Sequence, residues 1–338
     1  MSQLSDALLR FHQENPRNLP WRKDPSPYHV WVSEIMLQQT RVETVKGYFE
    51  RFMACLPDVA ALARSNEDLC LKLWEGLGYY SRVRNLRKAA MEIVKKHRGE
   101  IPCEVSDLKR LPGIGEYTAA AIASIAFHAK EVAVDGNLVR IYARLFARPL
   151  DPGSPKDRRL VALGFAEQMD IDPAIFNETL MDIGQLQCLP NGKPLCSTCP
   201  LRGFCIAHQR EEEQKYPLAK KKTKRKTEDR TILILTKDDR VYLEKRPEKG
   251  LLSSLYQPMN LLGRWKEEGI RDYLEKKGYV LGSFENLGGA KHIFSHVEWH
   301  MTGWKIEVLA SPKDALFVTQ YEKETEYSVP SAFNAFLG

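Results

Sequence analysis

The sequence predicts a two-domain protein: a mostly α-helical domain over residues 1–210, a charged linker over 211–228 and an α+β domain over 229–338. Three observations carry this reading. Apolar residues recur at helical spacing up to about residue 210, broken only by short Gly- and Pro-containing turns. Glu211, Glu212 and Glu213 are then followed by a basic run, Lys220, Lys221, Lys222, Lys224, Arg225 and Lys226, which reads as a solvated hinge with contact to DNA phosphates as the lesser alternative. Beyond it the hydrophobic period changes to that of strands. The length of 338 residues, at roughly 150 residues per domain, also suggests two domains.

In the first domain, Leu4, Leu8 and Phe11 open a helical pattern, and His29 to Thr40 is a dense apolar run with few breakers. Arg82 to His97 places Val83, Leu86, Ala90, Ile93 and Val94 on one face. Asn137 to Ala147 places Leu138, Ile141, Tyr142 and Leu145 at i, i+3, i+4 and i+7. In the second domain, Thr231 to Thr236 is a β-prone run, Asp238-Asp239-Arg240 a turn, and Val241 to Arg246 alternates. Trp265 to Lys277 reads as a helix. His292 to Leu309 reads as strand, with Gly303 as a break.

Composition sets bounds. A 43% hydrophobic and 28% charged chain has material for packed cores, which excludes a wholly disordered protein. No stretch approaches the about 18 apolar residues of a membrane-spanning helix. The segment MSQLSDALLRFHQENP lacks the basic start and apolar core of a signal peptide, so a cytosolic (or nuclear) location is expected. A net charge of +6 permits a polyanionic partner without requiring one.

Without export, the seven cysteines are not expected to form disulfides. Cys55, Cys70 and Cys103 are scattered, whereas Cys188, Cys196, Cys199 and Cys205 follow the pattern C-x7-C-x2-C-x5-C. Four thiolates this close can converge on one metal centre. Zinc usually takes two short pairs, and only one C-x2-C is present, which favours a cubane iron–sulfur cluster over zinc. His208 is a further donor nearby, or simply a solvated histidine.

Leu111-Pro112-Gly113-Ile114-Gly115-Glu116-Tyr117-Thr118 leads into a run of small residues, Ala119 to Phe127. Gly113 and Gly115 allow a tight turn with exposed amides at the start of the next helix, an environment suited to a phosphate. Ile114 can anchor the turn in the helix pair. Taken alone, the same pattern fits an ordinary helix–turn–helix connection.

Two carboxylates stand in contrasting settings. Glu34 lies in Val30-Trp31-Val32-Ser33-Glu34-Ile35-Met36, an apolar wall that would raise its pKa toward that of a general acid. Spacing alone also fits a bland reading, because Glu34, Gln38 and Arg41 could form the wet face of an amphipathic helix. Asp135, in Val132-Ala133-Val134-Asp135-Gly136-Asn137, precedes the helix through Leu145 as an N-cap, where the helix dipole would keep it ionised. One protonated and one ionised carboxyl is an acid/base pair suited to cleaving a glycosidic bond.

Taken together, LPGIGEYTA, VDGN and the four cysteines resemble the helix–hairpin–helix DNA glycosylases of the endonuclease III superfamily. LPWR (Leu19–Arg22), SEIMLQQTRVETV (Ser33–Val45) and WEGLGYYSRVRNL (Trp74–Leu86) are similar to MutY-type adenine DNA glycosylases. The resemblance is strong from Met1 to about His208. It implies removal of adenine mispaired with 8-oxoguanine or guanine in double-stranded DNA, a [4Fe–4S] cluster on the four cysteines, and a monomer in the bacterial cytoplasm, nucleoid-associated through DNA. Glu34 would protonate the adenine and help deliver water. Asp135 would stabilise the oxocarbenium-like sugar or briefly bond to it, with Tyr117 and Asn137 in support. The extruded base would meet Trp21, Arg22 and Glu178. Tyr79 would intercalate and Gln39 act as a wedge, both near the 8-oxoguanine. Bifunctional relatives carry a lysine where Tyr117 stands, which implies a monofunctional enzyme that leaves the strand uncut. One departure is the seven residues between Cys188 and Cys196, where the family has six.

The second domain resembles the Nudix fold, with a degenerate box. Arg271 to Gly278 aligns with R-E-U-x-E-E-x-G, but Lys276 replaces a metal-binding glutamate, and Gly263 stands where an upstream glutamate is needed. Phe294, Ser295 and His296 are the residues the resemblance assigns to reading the oxidised purine. Two alternatives remain: an endonuclease III-like glycosylase of other base lesions, and a non-catalytic DNA-damage binding protein. Tyr117 argues against the first, and the pairing of Glu34 with Asp135 against the second.

Overall fold

A computed structural model describes residues 2–219 and 224–337, so Lys220, Lys221 and Lys222 of the basic run lie outside the described residues. The chain divides into two compact units. One comprises residues 1–65 and 85–221; the other comprises 66–84 and 222–338.

The first unit is helical. Its first helix, Gln3–Glu14, buries Leu4, Leu8 and Phe11 as their spacing predicts. The apolar run at His29 forms the helix Pro27–Leu37, started by the Ser26 side chain accepting from the His29 amide. That helix ends before Gln38, and Gln39 takes a left-handed φ of 57°. Glu34, Gln38 and Arg41 therefore share no wet face, and Glu34 is 5% exposed. Beyond its first two residues the helix Glu116–Ala126 is rich in small and apolar side chains and buries every residue from Thr118 to Ile125, so it forms the centre of this unit. Its alanines allow the neighbouring helices Pro27–Leu37 and Pro173–Leu186 to approach. Helix Gly136–Leu145 packs beside Pro173–Leu186. Ile114 is buried, as expected of an anchor for the turn between the helices Val105–Leu108 and Glu116–Ala126.

The second unit is built on a mixed sheet. Its strands are β1 (Lys226–Lys237), β2 (Arg240–Tyr242), β3 (Glu244–Lys245), β4 (Tyr256–Gln257), β5 (Met259–Leu262), β6 (Val280–Ile293), β7 (Val297–Ala310) and β8 (Phe317–Val318). The order is β6-β7-β1-β2-β8, with β5 also pairing β1, and β3 and β4 form a separate ribbon. The β1–β7 pairing is parallel and the others are antiparallel. β1 opens at Lys226, within the stretch expected to be linker.

Both faces of β1 are covered, so it reads as a continuous apolar run. Ile232 and Ile234 join Trp299, Met301, Phe333 and Phe336 on one face. Leu233 and Leu235 join Ile270, Leu274, Ile306 and Val308 on the other. The predicted helix is present as Glu267–Lys276.

The expected break at Gly303 is absent: β7 runs through it without interruption. Gly303 faces the Phe336 ring, and a Cβ there would lie 2.3 Å from Phe336 Cδ1. The residue is small because Phe336 of the short helix Asn334–Leu337 packs on it, not because the strand ends. Gly303→Ala should therefore lower stability by about 1–3 kcal/mol through overpacking, read as a drop in denaturation midpoint with unchanged m-value.

Candidate active site

Four chain segments bring the predicted chemistry together. Glu34 sits in the last turn of the helix Pro27–Leu37, Tyr117 in the first turn of Glu116–Ala126, and Asp135 caps Gly136–Leu145. Together with Asn137, Gln39, Gly113 and Gly115 they line one groove of about 690 Å³. Contacts from the helix Pro173–Leu186 complete it through Met181.

The Tyr117 hydroxyl donates to Glu34 Oε2 at 2.5 Å. Burial is the largest influence on Glu34 and pushes its pKa up to about 7. The Tyr117 hydrogen bond opposes this rise, while repulsion from Asp135 and Glu178 adds to it and Arg22 counters it. Burial likewise holds the Tyr117 hydroxyl well above its ordinary range, so it remains a donor. Asp135 is an N-cap, as its position predicts. Its Oδ1 accepts from the amides of Asn137 (2.8 Å) and Leu138 (2.9 Å), and its Oδ2 from Asn137 Nδ2 (2.7 Å).

The N-cap position, expected to keep Asp135 ionised, is opposed by burial. Burial outweighs the three N–H donors and moves its pKa upward from the ordinary value. The two carboxyls still differ in donor supply, three for Asp135 against one hydroxyl for Glu34. Asp135 is thus the readier of the pair to carry charge, and Glu34 the readier to hold a proton.

Beside Glu34 lies a smaller cavity of about 30 Å³, lined by Trp21, Arg22, Glu178 and Asp182 among others. It admits water but not a purine, so a base entering here must displace side chains. Trp21 is buried edge-on against Phe49, at 5.6 Å between centroids. Arg22 Nε pairs with Glu178 Oε1 at 3.0 Å and its Nη1 with Asp182 Oδ2 at 2.7 Å. Asp182 also takes Arg17 Nη1 at 2.6 Å. Sequence reading missed Asp182, although its i+4 spacing from Glu178 places both on one helix face.

Asn137 is held from behind. Arg140 Nη2 donates to Asn137 Oδ1 and to the Gly184 carbonyl, both at 2.8 Å, and Arg140 Nε donates to the Cys188 carbonyl at 2.7 Å. Arg140 and Arg144 are buried, which their place on the polar side of the helix Gly136–Leu145 did not signal.

The four clustered cysteines surround one cavity of about 30 Å³, walled by Ile141, Leu145, Ile183 and Leu201. Arg144 Nη1 donates to Cys188 Sγ at 3.1 Å, a cationic partner suited to a thiolate. Burial pushes the Cys196 thiol up to about 11 and that of Cys199 up to about 12, with the neighbouring cysteines adding to both, so a bound cation is what would draw these protons off. The set fits a four-thiolate metal group. His208 is not simply solvated: its Nδ1 lies 2.6 Å from Glu213 Oε1, and Cys196 Sγ lies 3.5 Å from the same oxygen. Cys196, His208 and Glu213 keep their ligand atoms within 4.8 Å of one another.

In the other unit, Tyr79 is exposed, with a left-handed φ of 48°. Its hydroxyl lies 2.7 Å from Ser295 Oγ. Phe294, Ser295 and His296 form the turn between β6 and β7. Phe294 stacks edge-on at 4.9 Å from Trp299, while Ser295 and His296 are exposed. Tyr79, Ser295 and His296 line a groove of about 600 Å³ with Arg84 and Ser253.

Residues 32–161 match the family model of the HhH-GPD superfamily base excision DNA repair proteins, and residues 230–338 match that of the NUDIX domain. An adenine DNA glycosylase of Buchnera aphidicola (subsp. Acyrthosiphon pisum) is 34% identical, over 87% of this chain and 83% of that protein. An adenine DNA glycosylase of Arabidopsis thaliana is 35% identical over 86% of this chain, which spans 55% of that relative's length. Among solved structures, a thermostable thymine-DNA glycosylase superposes with a TM-score of 0.55 at 26% identity, covering 62% of this chain and 97% of that one. Among the described residues, no helix is long and apolar enough to cross a membrane.

The site's electrostatics can be tested through stability. Glu34's pKa is about 7 folded against an ordinary value of 4.5, so its protonated form favours folding below pH 4.5 and this contribution is lost as pH rises through about 7. Glu34→Gln removes the buried charge. It should raise stability at pH 8 by about 2–3 kcal/mol and change it little at pH 4, as measured by urea unfolding at both pH values.

Proposed function

The chain belongs to the adenine DNA glycosylase family, and from that premise we propose that it hydrolyses the N-glycosidic bond of adenine mispaired with 8-oxoguanine or guanine in double-stranded DNA. The observation that carries the reading is the pair of carboxyls, buried Glu34 and half-buried Asp135, in one groove with unequal donor supply. In this reading Glu34, protonated near neutral pH, delivers its proton to the adenine, and Tyr117 fixes the carboxyl's orientation. Asp135, charged and held by Asn137, stabilises the positive charge that develops on the sugar. Trp21, Arg22 and Glu178 receive the extruded base, whose unstacking costs a few kcal/mol. Gly113 and Gly115 present backbone amides to a DNA phosphate. Tyr117 has no amine for a Schiff base, so the enzyme is monofunctional and leaves an abasic site.

Tyr79 intercalates and Gln39 wedges the duplex; both non-glycine residues hold a left-handed backbone that presents the side chain outward. Phe294, Ser295 and His296 read the 8-oxoguanine, whose oxidation adds an O8 acceptor and an N7–H donor. A monomer suffices, since each named role is filled from one chain, and the enzyme works wherever the cell keeps its DNA.

Single-turnover excision from duplexes with A opposite 8-oxoguanine, G and C tests this. Asp135→Asn should bind the mispairs but lose excision by more than about a hundredfold. Ser295→Ala should lower the preference for 8-oxoguanine over G by about tenfold while excision from A·G persists. Near-normal rates in a folded Asp135→Asn protein would overturn the chemical assignment.

Cys188, Cys196, Cys199 and Cys205 would hold a [4Fe–4S] cluster. When bound, it supplies a rigid cross-link over the last helices of the first unit. Protein purified anaerobically should be yellow-brown and carry about four irons per chain by elemental analysis. Stoichiometric zinc without iron would instead point to the Cys196–His208–Glu213 set.

A further inference from the structure

The groove that holds Glu34 and Asp135 has one cationic side chain in its lining, Arg158. Arg158 stands near the start of the helix Pro155–Ala166, whose N-cap is Ser154. Its Nε donates to the Pro152 carbonyl at 2.8 Å, which fixes the plane of the guanidinium. Among the described residues no carboxylate pairs with Arg158. The adjacent Asp157 is engaged elsewhere, its Oδ2 accepting from the Asp151 amide at 2.9 Å.

Arg158 also lines a second groove of about 630 Å³ together with Tyr117, so these two side chains form the boundary between the grooves. The second groove carries Lys109, Lys156 and Arg159 along its wall. Lys109 is neutralised by Glu116 at 3.1 Å, whereas Lys156 and Arg159 are exposed. This half-buried guanidinium, in the groove of Glu34 and Asp135, has no partner for its Nη nitrogens among the described residues. A ligand that is itself anionic would supply one.

We propose that Arg158 grips a DNA phosphate flanking the extruded adenosine, and that Lys156 and Arg159 continue this contact along the strand. The inference rests on the proposed glycosylase reading and adds to it a second backbone hold, separate from the Gly113–Gly115 turn. A nucleotide rotated out of a duplex needs its backbone held on both sides, and one hairpin supplies one side. A guanidinium fixed at Nε leaves two parallel N–H vectors, the geometry that phosphate oxygens accept. Because Arg158 and Asp135 line the same groove, a phosphate gripped there would fix the adjoining sugar near that carboxylate. Arg158 is therefore a positioning residue.

The test uses the full-length protein with the catalytic change Asp135→Asn, so that binding is read without turnover. Arg158→Gln in this background should weaken binding to an A·8-oxoguanine duplex by about tenfold and reduce the slope of log K against log salt by about 0.9. Arg158→Lys should restore the slope but only part of the affinity, since a lysine keeps the charge without the fork. The decisive measurement is a methylphosphonate scan, neutralising one phosphate of the adenine strand at a time. The Arg158→Gln protein should be insensitive at one phosphate next to the adenosine where the parent is sensitive, and equal to the parent elsewhere. Identical scans and salt slopes for the two proteins would overturn the proposal. If the parent protein does not prefer the mispaired duplex at all, it is the glycosylase reading that fails.

Discussion

The arrangement of the site depends on one buried side chain, Arg140. Its guanidinium joins the carbonyl of Cys188, the carbonyl of Gly184 and the amide oxygen of Asn137, and Asn137 in turn holds Asp135 Oδ2. A guanidinium offers five donors in a fixed plane, so these bonds set the relative position of three chain segments at once. The thiol loop, the end of the helix Pro173–Leu186 and the N-cap of Gly136–Leu145 cannot shift independently. Burial strengthens each bond and makes any unpaired donor costly, which is why such a network holds one geometry rather than several. Asn137 can then present its Nδ2 hydrogen to Asp135 only in one amide orientation.

That fixed geometry surrounds a buried carboxyl, Glu34, and a half-buried one, Asp135, with different sets of donors. Both are pushed upward by desolvation. The distinction comes from the donors each can reach. Glu34 sits on the third turn of its helix, where the backbone amides are already spent on the helix itself, and among the described residues the Tyr117 hydroxyl is its hydrogen-bond donor. Asp135 sits ahead of a helix, where the first amides have no intrahelical partner. Secondary structure therefore gives the two carboxyls unequal donor supply, on which the proposed acid and base roles rest.

Much of this was legible in the chain. The apolar wall around Glu34 and the VDGN step into a helix each pointed to its carboxyl's setting, and the cysteine spacing marked four thiols that line one cavity. What the sequence could not display was burial of charged groups by distant segments. Arg140 and Arg144 fall within an amphipathic repeat whose polar face would ordinarily be solvated, yet that face is covered by the thiol loop. Asp182 lies one turn beyond Glu178, but its partners Arg17 and Arg22 are more than 150 residues away. Gly303 was misread because a glycine in a strand weakens it locally, and only the position of Phe336 shows what the missing side chain makes room for.

Gly184 extends the same logic to the active site. It lies in the last turn of the helix Pro173–Leu186, where glycine is unfavourable by roughly 1 kcal/mol relative to alanine. A Cβ at this position would come within 2.7 Å of Asn137 Cβ. Alanine would therefore gain helix propensity while pressing on the residue that orients Asp135, and the Gly184 carbonyl would move relative to Arg140. The local preference and the site's geometry oppose one another here. The geometry prevails because Asn137 has nowhere to retreat: its Nδ2 is bound to Asp135 and its Oδ1 to Arg140. The last turn of this helix is shaped by the carboxylate it supports, through a contact that has no polar atom in it.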